Sequence, residues 1–334
     1  MTCRYISRTL VFACSVIFGL LGGEASLRAQ QAQLQNLAFE QDNLSRDFLL
    51  YHPAGLEASS GPRPLFLVIH GGAGTVRGMV RLTNRRWNAL ADRHGFYVVY
   101  PNGIDKIWDF GEGRVSSRLN QRVDDLTYFR NVIAATSSTV NIDSKRVFVT
   151  GLSRGAQASF FLACNMPEKI RAIMPVATNL PEYMVNECQS GPPVGMAWVT
   201  GTADPQVPFN GGTITVLGQQ RDVVLSSEQT IAFWLRRNGC GSNAQTQTID
   251  VRPDDGVSVT LRNWSCSGAP VGHYAVQGGG HTWPSGRQFL PIRLVGPVSL
   301  DVDAADEGWA FSRSSNAQLP KRGSTPLTLA LNAI

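Results

Sequence analysis

The chain has 334 residues, 43% of them hydrophobic and 16% charged, with 33 glycines and a formal net charge of +5. That balance describes a globular protein with many tight turns and enough apolar sequence for a large core, and it excludes a fibrous or natively disordered chain. The positive charge is mild and comes without a dense Lys/Arg stripe, so it implies no nucleic-acid partner.

Arg4 and Arg8 precede an apolar run from Leu10 to Leu21, and Gly22, Gly23 and Ala25 then supply the small residues a signal peptidase requires. Residues 1–29 are expected to be a signal peptide, the mature chain to start between Ser26 and Gln33, and the protein to be secreted or periplasmic. The run is short for a membrane span and no later stretch approaches the ~20 apolar residues one takes, so no stable membrane anchor is expected. Removing Cys3 and Cys14 with the signal leaves Cys164, Cys188, Cys240 and Cys266 for an oxidising compartment. Four cysteines allow three pairings, of which sequence proximity favours Cys164 with Cys188 and Cys240 with Cys266. No Cys or His cluster has zinc-ligand spacing, so no metal site is expected.

Asn36 to Glu40 and Arg46 to Tyr51 read as an N-terminal hairpin. Pro64 to Ile69 is a continuous apolar run of strand length, as in a strand buried on both faces, and it ends at His70-Gly71-Gly72-Ala73-Gly74. Asn84 to His94 fits a helix closed by Gly95, and Phe96 to Tyr100 another buried strand. Ile104 to Arg122 lacks a period and is expected to be a long loop near the site. Asp124 and Asp125 open a helix through Ser138, with both carboxylates at its positive end.

The apolar run Val147 to Leu152, then Ser153, then the helix-favouring Gln157 to Asn165 read as strand, tight turn and helix. Ile170 to Pro175 and Met196 to Thr200 follow as strands, with a variable segment around Tyr183 between them. Ser226 to Asn238 reads as a helix ended by Gly239. Ile249 to Arg252, Ser258 to Trp264 and Val271 to Val276 are strand candidates, and Asp301 to Phe311 the closing helix with Trp309 and Phe311 inward. Strands alternating with helices at this spacing imply right-handed crossovers and an α/β fold with a mostly parallel central sheet flanked by helices, in a single domain over residues 36–312. Residues 313–334 are expected to be a poorly ordered tail.

Gly151-Leu152-Ser153-Arg154-Gly155 in a strand-turn-helix setting is a nucleophile elbow. A serine hydroxyl is a poor nucleophile at neutral pH and needs a base, which in turn needs an orienting acid. In this setting acid and base follow the serine, which leaves His273 and His281 of the five histidines. His273 lies inside a strand pattern and reads as a core or surface imidazole. His281 sits in a glycine-rich loop just past a strand and is the candidate base. Asp204, directly after the strand Met196 to Thr200, is the candidate acid, whereas Asp222, Asp250, Asp254 and Asp255 read as solvated surface. The Gly71-Gly72 turn and the backbone N–H of Arg154 are candidates for an oxyanion hole.

These segments resemble a known family. Gly151 to Gly155 preceded by Asn141-Ile142-Asp143-Ser144-Lys145-Arg146-Val147, with Tyr100-Pro101-Asn102-Gly103, Gly201-Thr202-Ala203-Asp204-Pro205-Gln206-Val207-Pro208 and Gly278-Gly279-Gly280-His281-Thr282-Trp283-Pro284, is similar to the polyhydroxybutyrate depolymerase and feruloyl/acetylxylan esterase family from about Phe48 to Phe311. The resemblance implies an α/β-hydrolase fold, a secreted carboxylesterase without cofactor, and catalytic roles for Ser153, Asp204 and His281. Asn238-Gly239-Cys240 and Cys266 also match, which supports that disulfide. The chain departs from the pattern at Arg154 and Ala156. The Arg154 guanidinium is a candidate for an anionic group of the substrate, a solvent-facing side chain being the alternative. Trp108 and Trp283 are candidates for stacking on a sugar or an aromatic acyl group, with inward packing as the alternative. The expected partner is an ester, feruloyl or acetyl on plant polysaccharide. Its rivals are an aliphatic polyester, which would need an exposed apolar face, and a non-catalytic carbohydrate-binding role in the same cleft.

Overall fold

The computed structural model describes residues 33–56, 61–111, 115–116 and 121–316. The expected signal peptide and residues 317–334 of the tail lie outside the described residues.

The N-terminal hairpin forms as expected from β1 (Gln33–Gln41) and β2 (Leu44–His52). β3 (Arg63–Ile69), β4 (Tyr97–Pro101), β7 (Ile142–Leu152), β8 (Ile170–Val176), β9 (Gly195–Gly201) and β14 (Val271–Gln277) run parallel to one another. β12 (Cys240–Ile249) and β13 (Ser258–Cys266) pair antiparallel at the far edge. The sheet order is β1-β2-β4-β3-β7-β8-β9-β14-β13-β12. Two ribbons stand apart from it: the two-residue pair β5 (Val115–Ser116) with β6 (Gln121–Arg122), and the hairpin β10 (Gly212–Val216) with β11 (Gln219–Val224).

Helices cover both faces, and the alternation along β3 shows why. Leu65, Leu67 and Ile69 join one core with Tyr128 and Phe129 of α3 (Asp125–Thr139), Phe160 and Leu162 of α4 (Arg154–Asn165) and Trp234 of α5 (Ser227–Asn238). Phe66 and Val68 join the other with Met79 of α1 (Val76–Leu82), Trp87 and Leu90 of α2 (Arg86–His94) and Ala304 of α7 (Ala304–Asn316), while the short α6 (Ile292–Val295) sits outside both. A strand buried on both faces has no polar side, so it reads as an unbroken apolar run. After β3 the chain moves outward to β4, then returns through α3 to lay β7 on the other side of β3. The order reverses there, and the crevice outside the carboxyl ends of β3 and β7 is where such sheets bind ligands.

Local chemistry sets the helix ends. The Asp124 carboxylate accepts from Thr127 N–H to start α3, Ser226 and Gln229 form a capping box on α5, and Gly95 and Gly239 close α2 and α5 in the left-handed conformation. Trp309 stacks on Phe96 with ring centroids 4.8 Å apart, and Phe311 packs beside the same core, inward as expected. The disulfides are Cys164–Cys188 and Cys240–Cys266, the latter at paired positions of β12 and β13.

Four expectations are corrected. The strand placed at Ile249 to Arg252 ends at Ile249 and begins at Cys240, because an exposed edge strand carries polar residues that hide it. The hairpin β10–β11 and helix α1 were not foreseen. Residues 84 and 85 have positive φ and hold α2 back to Arg86. Asp124 alone caps α3: Asp125 turns inward to a buried ion pair with Arg46 at 2.7 Å.

Candidate functional site

Ser153 stands at the turn from β7 into α4 with φ 56° and ψ −117°, a conformation that residues with a Cβ rarely adopt. Its amide donates to Val176 O at 2.9 Å, tying the strained turn to β8. The flanking glycine is dictated by crowding. A Cβ on Gly155 would overlap the Ile69 carbonyl oxygen and lie 2.7 Å from that of His70, so only glycine lets α4 start against the end of β3. The first amides of α4, Arg154 N–H among them, have no intrahelical acceptor by helix geometry.

The turn after β3 packs directly against the serine. A Cβ on Gly71 would sit 3.1 Å from Leu152 O and 3.5 Å from Ser153 Cβ. His70 props this turn from beneath: Gly103 N–H donates to its Nε2 at 3.1 Å, so the proton resides on Nδ1 and is donated to Gly71 O at 2.8 Å. Burial drives the His70 pKa down to about 4, so the imidazole stays neutral in this role.

At the end of β9, Asp204 is fixed by its own chain. Its Oδ1 accepts from the N–H groups of Gln206 at 2.7 Å and Val207 at 2.9 Å, and its Oδ2 accepts from His281 Nδ1 at 2.8 Å. A carboxylate only accepts, so the His281 proton is on Nδ1 and Nε2 keeps its lone pair. The glycine loop 278–280 reaches across because Gly201 has no side chain: a Cβ there would overlap Gly279 O and lie 2.5 Å from Gly280 O. His273, by contrast, is wholly buried on β14. It accepts from Arg262 Nη2 at Nδ1 and bonds Thr200 Oγ1 through Nε2, with its pKa pushed down to about 3 by burial.

Ser153, His281, Gly71, Gly72 and Arg154 line one cleft of about 410 Å³, within the ordinary range for small-molecule sites. The side chains of Asp204 and His281 are nearly buried, at 2% and 4% exposure, and Asp204 stands behind the imidazole, not on the cleft wall. The far wall comes from the unforeseen hairpin, through Ile214, Val216, Leu217, Arg221 and Asp222, and from Phe289 and Leu290.

Four sequence readings change here. The Arg154 guanidinium neither faces solvent nor waits for an anion: Nη1 donates to Asp222 Oδ2 at 2.9 Å and Gln157 Oε1 at 2.6 Å, Nη2 donates to Trp108 O at 3.1 Å, and the group lies 4.4 Å above the Phe110 ring. Asp222 is accordingly no solvated surface residue, and its side chain is 15% exposed. Trp108 touches the cleft yet is fully buried as its floor, its Nε1–H donating to His70 O at 3.0 Å. Trp283 is 1% exposed, packs in the core behind His281 and does not line the cleft. The large aromatic surface of both rings, and the indole N–H of Trp108, are better served in these sites than at an open rim. The loop bearing Trp108 is anchored in turn by Asp125, which accepts from Asp109 N–H at 2.7 Å. Burial pushes the Asp125 carboxyl up to about 6 against the pull of Arg46.

A mostly parallel sheet covered on both faces, with a strained serine at its switch point and a carboxylate-bound histidine beyond its last parallel strand, defines the α/β-hydrolase fold. The structure superposes on an acetyl xylan esterase from Aspergillus awamori with a TM-score of 0.52 and 19% identity, covering 75% of this chain and 94% of that one. In sequence the chain is 26% identical over 275 residues to a putative esterase, NocK, of Nocardia uniformis subsp. tsuyamanensis, covering 80% of this chain and 79% of the relative. It is 26% identical over 166 residues to feruloyl esterase B of Piromyces equi, and 28% identical over 185 residues to poly(3-hydroxyalkanoate) depolymerase C of Paucimonas lemoignei. Those two alignments cover 49% and 52% of this chain and only 30% and 39% of the relatives, which are longer proteins. No protein-family profile matches the chain. In sequence the chain is thus distantly similar to esterases of the feruloyl, acetylxylan and polyhydroxyalkanoate depolymerase kind.

Proposed function

We propose that the protein is a secreted serine carboxylic-ester hydrolase with Ser153 as nucleophile, His281 as base and Asp204 as the group that orients His281. The observation that carries this reading is the His281–Asp204 hydrogen bond at the edge of a cleft into which Ser153 also opens. His281 Nε2 takes the Ser153 proton as Oγ attacks the ester carbonyl, and Asp204 stabilises the imidazolium that forms. The oxyanion accepts from the backbone N–H groups of Arg154 and the Gly71-Gly72 turn, donors worth about 3 to 4 kcal/mol each in such sites. His281 then protonates the departing alcohol, and water that it deprotonates releases the acid from the acyl-enzyme. Two disulfides support an exported protein.

The names of the relatives favour feruloyl or acetyl esters of plant polysaccharide as substrate. Exposed Leu217, Phe289 and Leu290 at the cleft favour aliphatic polyester as the second reading. A carbohydrate-binding protein without chemistry would have no use for a strained serine or an oriented imidazole. The test is hydrolysis of methyl ferulate, acetyl-xylan and polyhydroxybutyrate side by side by the wild type, Ser153→Ala and Asp204→Asn. At least one substrate is expected to turn over, with each variant folded and slower by about 10⁴-fold. Wild-type rates in Ser153→Ala would refute the mechanism.

A further inference from the structure

The hairpin β10–β11 turns through two residues, Leu217 and Gly218, between the paired positions Val216 and Gln219. Both have positive φ, 48° and 78°. This geometry favours Asn-Gly or Asp-Gly, because a leucine gains no local hydrogen bond there and crowds its own carbonyl. Leu217 is nevertheless at the tip, is 70% exposed, and lines the cleft that holds Ser153. Phe289 and Leu290 line the same cleft at 41% and 38% exposure. A residue that is both conformationally disfavoured and left in water at a site mouth contributes nothing to the free protein that an asparagine would not improve, which directs its purpose to the ligand.

The tip is also held in register with the reacting centre. Asp222 on β11 pairs with Arg154, the residue after the nucleophile, and Val207, Ile214 and Val224 form a small core beneath the hairpin directly after Asp204. The position of Leu217 is thus set from both the serine and the acid side.

We infer that Leu217 is a specificity-determining residue: with Phe289 and Leu290 it forms an apolar lip that holds the alkyl or aryl portion of an ester whose carbonyl lies at Ser153. The inference rests on the hydrolase reading above and adds to it the requirement for an apolar group reaching the cleft mouth.

The experiment compares kcat and KM for p-nitrophenyl acetate and p-nitrophenyl hexanoate in the wild type, Leu217→Asn, Phe289→Ser and Val251→Asn. Val251 is 66% exposed but lies outside the cleft, so its variant controls for placing an amide in water away from the site. Leu217→Asn is expected to lower the hexanoate-to-acetate ratio of kcat/KM about fivefold, through KM for hexanoate, while acetate changes by less than about twofold. Its Tm is expected to rise, since Asn suits the turn. That opposition of stability and selectivity is one a merely structural leucine would not produce. Phe289→Ser is expected to lower the same ratio and decides the matter if Leu217→Asn does not fold. An unchanged ratio in the folded variants, or an equal loss on both esters, overturns the inference. Ser153→Ala run alongside separates the failures: if it is inactive while the ratio stays fixed, only the lip is wrong, and if it is active, the hydrolase reading itself fails.

Discussion

On one side of the cleft, Gly71, Leu152 and Ser153 extend from β3 and β7, strands buried on both faces and packed against α4 through backbone contacts too close for a side chain. On the other side, Leu217, Arg221 and Asp222 extend from a two-stranded ribbon outside the central sheet, tied to the elbow by an ion pair between side chains. The first side is positioned by close-packed backbone, the second by that ion pair and a few backbone hydrogen bonds, Thr215 N–H to Gln206 O and Leu225 N–H to Leu180 O, both at 2.9 Å. Groups that must hold their geometry to a fraction of an ångström belong on the first, and a surface that adapts to a particular ligand belongs on the second.

Three measurements would break or sharpen this contrast. The largest effect is expected from Gly155→Ala, whose methyl group would overlap the Ile69 carbonyl and force α4 off β3. It should lose at least about 3 kcal/mol in denaturant unfolding together with its activity. Gly72→Ala on the same side meets only Arg154 Cβ at 3.9 Å and should cost little stability. Equal losses in the two would mean that backbone crowding is not what sets the elbow.

Next is acid lability from beneath the Gly71-Gly72 turn. The His70 pKa is about 4 when folded against an ordinary 6.5, so between those values the unfolded chain binds one more proton than the native one. Stability therefore falls as pH drops from about 6.5 to about 4, by about 3 kcal/mol in all for this group. His273 adds to the same trend. His70→Gln, which keeps a donor and an acceptor, should show a smaller Tm decrease than wild type between pH values of about 7 and 4. An undiminished decrease would remove His70 as a cause.

The smallest effect is expected on the ribbon side. Asp222→Asn keeps an acceptor for Arg154 and loses only the charge, so it should cost about 1 kcal/mol locally, seen as about fivefold faster hydrogen exchange of β10 and β11 amides with the central sheet unchanged. If sheet amides quicken equally, the ribbon is no separate unit.

The same contrast explains what the sequence could reveal. Elbow, glycine turn, Asp204 and His281 were legible because crowded backbone permits few residues, so the requirement is written locally as Gly-x-Ser-x-Gly or Gly-Gly-Gly-His. His281 and His273 were distinguished by a loop against a strand pattern, and their hydrogen bonds differ accordingly. The Arg154–Asp222 pair joins residues 68 apart and leaves no local trace. The roles of Trp108 and Trp283 depended on whether a partner lay beneath them, which spacing does not encode. The hairpin carried a faint signal, β-branched residues at Thr213 to Val216 and Val223-Val224 around Gly218, but its tip residue is not one that turn chemistry selects.

The ribbon joins the rest of the chain at a narrow neck. Ser227 N–H donates to Phe209 O at 2.9 Å, so the segment leaves and re-enters the body at nearly one place, and its Ile214 and Val224 pack on Val207 of the body. Closure at that neck is made before the ribbon begins, and chain length beyond it adds little entropic cost. Residues 210–225 therefore form a cassette. A ribbon of different length or tip could be grafted there to reshape the cleft, provided that a carboxylate still meets Arg154 and the backbone bonds to Gln206 and Leu180 are kept.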